Sequence, residues 1–171
     1  MKFYTITILI FSLFMGQAQQ GYPVPPAARG HLFYIQHSNN HNTYVYDANF
    51  AGKKINASDP VTVYCIAFSD DGEKKELTAI QRKMAYGITV IKADGNTCEF
   101  VLAAYEQKSL FLKIGKDGKP YVTVHVNGKN IILQRIFLQT KGMGVKIEYI
   151  KFYGKDAATG KDIVEQMDIN S

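Results

Sequence analysis

The chain has 171 residues, 46% of them hydrophobic and 20% charged, enough for one domain with a proper core and too apolar for a disordered segment. Its formal charge of +5 is spread over lysines paired beside turns, at Lys53-Lys54, Lys74-Lys75 and Lys116 with Lys119. A nucleic-acid footprint gathers basic residues in one stripe with aromatics interleaved, and the absence of such a stripe excludes nucleic acid as the expected partner.

In chain order, residues 1–18 read as a cleaved secretory signal. Met1-Lys2 opens it, Ile6 to Met15 is a short apolar run, and Gly16-Gln17-Ala18 offers small residues where a signal peptidase cuts. The run is roughly half of the ~20 residues a membrane-crossing helix needs. Cleavage leaves no expected transmembrane segment, a net charge one lower than +5, and a protein exported to the periplasm or the extracellular medium. Residues 19–30, QQGYPVPPAARG, hold three of the five prolines and read as an extended, polyproline-like linker. One β-rich domain is expected over 31–171.

The stretch FYIQHSNNHNTYVYDAN, residues 33–49, places His37 and His41 among asparagines between aromatic runs. With Asn39-Asn40 as a two-residue turn, Ile35 pairs with Tyr44 and Phe33 with Tyr46. His31 and His37 then lie about 20 Å apart at ~3.3 Å per strand residue, and His41 faces away from His37, so a hairpin is favoured over a metal site. His37, Asn40, His41 and Asn42 remain candidate ligand contacts at its rim. Asp47 to Ser58 starts like a calcium loop and fails at its fifth and twelfth positions, Ala51 and Ser58.

Further strands are expected near 61–68, 87–93, 97–106, 108–114, 121–126, 130–138, 145–152 and 162–167, with turns at Asp70-Asp71-Gly72, Asp94-Gly95-Asn96, 116–120, Asn127-Gly128 and 154–160. ELTAIQRKMAYG predicts one short α-helix near residues 76–86, with Leu77, Ile80 and Met84 toward the core and Arg82 with Tyr86 on its flank as candidate ligand contacts. Cys65 and Cys98 are the only cysteines. In an oxidising compartment they form a candidate disulfide, the alternative being two buried thiols.

The expected fold class is therefore all-β, mainly an antiparallel meander closed as a barrel or a two-layer sandwich, with one short helix. Three stretches, FYIQHSNNHNTYVYDAN, PVTVYCIAF and ELTAIQRKMAYGITV, resemble in their order a family of exported bacterial domains of unknown function, DUF4833. The resemblance implies export and a single domain, and carries no activity, ligand or catalytic residue.

No nucleotide loop, nucleophile elbow or histidine-metal motif is present, so no catalytic residue, metal or cofactor is expected. The twenty-one phenylalanines and tyrosines, many on shared strand faces, favour a non-enzymatic domain binding a small or extended apolar ligand. The alternatives are a cell-envelope protein-interaction module, or a metal-dependent hydrolase built on His37, His41, Asp47 and His125.

Overall fold

The computed structural model describes residues 21–70, 72–142 and 146–169. The signal segment 1–18 lies outside them, as does Val145. The alternating runs become β1 (His31–His37), β2 (Asn40–Ala48), β3 (Phe50–Ala51), β4 (Lys54–Ile55), β5 (Val61–Ala67), β6 (Glu73–Glu76), β7 (Ile88–Ala93), β8 (Thr97–Leu102), β9 (Tyr105–Ile114), β10 (Pro120–Val126), β11 (Lys129–Lys141), β12 (Lys146–Asp156) and β13 (Asp162–Asp168), with one α-helix among the described residues, α1 (Ala79–Met84). The fold is all-β, as its turn spacing implies.

Two antiparallel meanders make up the main sheet. One runs β1-β2-β5-β6 and the other β7 through β13, while β3 and β4 form a separate small hairpin where the calcium-like sequence lies. They join where β1 runs parallel to β11, Tyr34 beside Arg135 through His37 beside Leu138. One edge of β11 therefore serves two neighbours: Lys129–Ile132 pair with β10 and Arg135–Leu138 with β1. A register shift between Leu133 and Arg135 marks the change of neighbour, as a β-bulge does when it bends a strand. Gly154 lies opposite, where an added Cβ would meet the Ile132 carbonyl at 2.0 Å. The sheet curls into a half-barrel, between the two closures expected.

The core fills the concave face. On β10, Val122, Val124 and Val126 point inward and are buried, while Tyr121, Thr123 and His125 alternate outward. Phe33, Tyr46 and Phe100 are fully buried, each such side chain contributing about 2–3 kcal/mol from area removed from water. On the convex face Val45, Tyr64 and Ile66 form a second, small cluster. Residues 21–30 lie beside that face without strand or helix: the Pro23 carbonyl accepts from Thr43 Oγ1 (2.6 Å), and Tyr22 donates to the His37 carbonyl (3.0 Å).

Three local expectations are corrected. The first hairpin keeps the expected register through Ile35–Tyr44, but shifts at its tip so that His37 pairs with Asn40 and the turn is Ser38-Asn39. The expected strand 97–106 is broken at Ala103-Ala104, a turn with no glycine or proline to announce it. In β12, a register shift between Ile147 and Tyr149 puts the two on different faces.

The helix is shorter than 76–86, and its expected core face is wrong: Ile80 and Met84 are 73% and 70% exposed. Thr78 caps it by accepting from Gln81 N–H, and the Gln81 side chain accepts from Thr78 N–H. That reciprocal cap starts the helix two residues later than the apolar pattern proposes. A six-residue helix is too short to stand on propensity alone. It is anchored by its flanks, with Leu77 buried before it and Tyr86 turned inward after it.

Candidate functional site

A cavity of about 340 Å³ opens between the β8–β9 hairpin and the facing stretch of β1, β11 and β12. Its floor is apolar and buried: Ile35, Leu110, Ile136, Ile150 and Phe152. Its rim is half-exposed or exposed, at Asn39, Ala104, Tyr105, Thr140, Ile147 and Ile169. Two surface depressions of 440 and 480 Å³ elsewhere have no buried residue in their walls. A mostly apolar lining with a few polar groups is what small-molecule sites share.

The polar wall is built by His37 and Tyr86. Tyr86 O–H meets His37 Nε2 at 2.6 Å and Asn40 Nδ2 lies 3.1 Å from the same nitrogen. Because Asn40 Oδ1 already accepts from Asn42 N–H, its amide nitrogen faces the ring as a donor. His37 Nε2 is therefore an acceptor, the ring is neutral, and its proton sits on Nδ1. Burial holds the His37 pKa down at about 4, so the ring stays neutral at physiological pH.

Tyr86 itself is fixed from several sides. Its ring stacks on Tyr44 with centroids 3.4 Å apart, and its carbonyl accepts from Tyr46 O–H at 2.7 Å. Ala103 and Ala104 donate to the carbonyls of Gly87 and Ala85, tying the segment to the β8–β9 turn. Gly87 is required there by close approach: an added Cβ would fall 1.8 Å from the Arg82 carbonyl oxygen.

The family model for a domain of unknown function, DUF4833, matches residues 33–166, most of the chain. The chain belongs to the DUF4833 family. No curated protein and no solved structure matches it. The matched span includes all of β8, β9, β11 and β12, which wall the cavity of this DUF4833 domain.

Of the residues singled out in the sequence, His37 and Tyr86 meet at the cavity and Asn40 supports them from behind. Asn42 has a structural task, its Oδ1 accepting from Phe68 N–H at 3.0 Å. The exposed His41 ring packs between Tyr22 and Phe68 on the outer side, and Arg82 points to solvent from α1. His31 bonds Asp47 at 3.1 Å and His125 bonds Asn130 at 3.0 Å, each with its own partner. Among the described residues no three histidine, cysteine or acidic side chains gather as a metal site. The hydrolase set does not assemble.

Cys65 and Cys98 are free and buried, so the candidate disulfide is not formed in this DUF4833 structure. They sit on β5 and β8, which are not neighbours in the sheet. Burial pushes the Cys65 thiol up and the Cys98 thiol up to about 11, the latter aided by Asp94 and Glu99. Such thiols are poor nucleophiles.

Sequence reasoning missed the opposite wall: Leu102, Lys108, Leu110, Leu138 and Thr140. Alternation identifies which side of each strand faces inward, but not which strands face one another across the interior.

Proposed function

We propose that this DUF4833 protein is an exported, non-enzymatic binding domain whose half-barrel cavity takes a small or extended apolar ligand. The observation that carries this reading is the cavity itself. Its volume, about 340 Å³, lies within the roughly 300–1,000 Å³ span of small-molecule sites. Its floor is aliphatic and aromatic, and its polar groups are few. Export rests on the apolar run before Gly16-Gln17-Ala18.

Native mass spectrometry of protein recovered from the exported fraction tests both parts. A chain beginning after Ala18 supports export, and added mass that leaves on mild denaturation supports a bound ligand. Ala104→Trp would plug the exposed rim. The expected outcome is at least a tenfold loss of affinity for an aliphatic ligand, with a melting temperature within a few degrees of the parent. Undiminished binding would overturn the assignment of this cavity.

The second reading, an envelope interaction module, is favoured by one observation. β7 is an edge strand carrying exposed Val90 and Ile91, the kind of edge that takes on another strand. Cross-linking in the envelope from a photoreactive residue at position 91 tests it, and products of a single defined mass would support it.

A further inference from the structure

This inference rests on the cavity reading and gives its ligand a chemical class. We propose that the DUF4833 cavity is built for a single-chain aliphatic carboxylate, whose head group pairs with Lys108 and whose tail lies on the floor of Ile35, Ile136, Ile150 and Phe152.

Charge complementarity carries the assignment. Among the described residues lining the cavity Lys108 is the one charged side chain, and none is acidic. Among the described residues only Lys108 and Lys151 are half-buried lysines. Lys151 lies over the Tyr149 ring at 5.1 Å. The Lys108 ammonium instead donates to the main-chain carbonyl of His125 at 3.1 Å, and makes no ion pair among the described residues. A neutral carbonyl uses one of its three protons and leaves its charge uncompensated. A cation at the edge of apolar walls favours a counter-charge that carries its own apolar tail.

The opposite wall cannot serve that role. His37 is neutral, and its Nε2 already receives donors from both Tyr86 and Asn40. That wall therefore accommodates a tail better than a charge. Near Lys108 on β9, Tyr105 donates only to the Met167 thioether, 3.8 Å away. Sulfur is a weak acceptor, so this hydroxyl is available to a carboxylate oxygen. One lysine with one phenol matches a single negative charge, whereas a phosphate dianion calls for more cations. The volume suits one chain rather than the two of a diacyl lipid.

Titration calorimetry with decanoate, decanol and decylamine at pH 7.5, each below its micellar concentration, tests the proposal. Decanoate is expected to bind roughly five- to tenfold more tightly than decanol, as a charge-assisted contact permits, and decylammonium most weakly. Lys108→Gln should bring decanoate down to the level of decanol while leaving decanol unchanged, and Lys108→Glu should favour decylammonium. Lengthening the carboxylate from octanoate should tighten binding about fourfold per methylene until the floor is filled.

Equal binding of all three head groups, or a preference for decanoate that survives Lys108→Gln, overturns the carboxylate assignment and leaves the cavity reading standing. Binding of none of them overturns the cavity reading itself. Far-ultraviolet circular dichroism of each variant separates loss of binding from loss of fold.

Discussion

His37 illustrates how far one residue's chemistry is set by its surroundings. Its ring is 4% exposed, and its pKa falls from 6.5 to about 4 through burial. The folded pKa lies below the unfolded one, so protons bind the unfolded chain first as the pH drops. Stability is intact above about pH 6.5, declines between about 6.5 and 4, and levels off below. By linkage the loss reaches on the order of 3 kcal/mol. Asp94, Asp156 and Glu165 are carboxylates held below their ordinary values by hydrogen bonds, so the stability they add is lost only as the pH falls through the ordinary carboxylate range and below it. Urea unfolding at pH 7.5, 5.5 and 4.5 measures the slope. His37→Gln should lower stability overall and flatten the decline. A parent protein with equal stability at pH 7.5 and 4.5 would contradict the neutral, buried imidazole. The aromatic and histidine content around residue 37 is visible in sequence. Its partner Tyr86 is placed wrongly there, as a helix-flank residue, because Ala85 already ends the helix and turns Tyr86 inward.

At the scale of elements, the segment from β6 through α1 to β7 positions the cavity wall, and it was the least legible. β6 reads Glu-Lys-Lys-Glu, with no apolar alternation to announce a strand; it forms because β5 offers backbone partners along its edge. The helix period was legible, but its orientation was not, because capping at Thr78 outweighs the apolar spacing of Leu77, Ile80 and Met84. The hairpins at Asn127-Gly128 and Asp94-Gly95-Asn96 were legible because their turn chemistry is local: Asn127 and Gly128 both adopt positive φ, and Asp94 Oδ1 accepts from Asn96 and Thr97 N–H. Gly87 is the tightest point of the segment. Gly87→Ala forces its new methyl against the Arg82 carbonyl and strains the bond from Ala103. The expected cost is about 2 kcal/mol in urea unfolding, together with weaker ligand binding as Tyr86 shifts. A change under about 0.5 kcal/mol would mean that the turn relaxes freely.

For the whole molecule, the strand inventory and the inward faces follow from sequence, and the curl does not. It depends on the parallel seam between β1 and β11, which brings Tyr34 beside Arg135. No turn signal encodes a pairing between residues so far apart, and closing that long loop makes such a contact costly to form early. Both meanders are continuous stretches of chain, one ending before α1 and the other beginning after it. Their only covalent link among the described residues passes through that exposed helix. The molecule is thus divisible: a chain cut between Arg82 and Lys83 yields one fragment carrying Ile35, His37 and Tyr44 and another carrying Tyr86, Lys108 and the rest of the floor. Mixed together, the two fragments should dock along the β1–β11 seam and recover the strand signature in circular dichroism, with neither doing so alone. The cavity would then be complete only in the reassembled pair, since its two walls lie on different fragments.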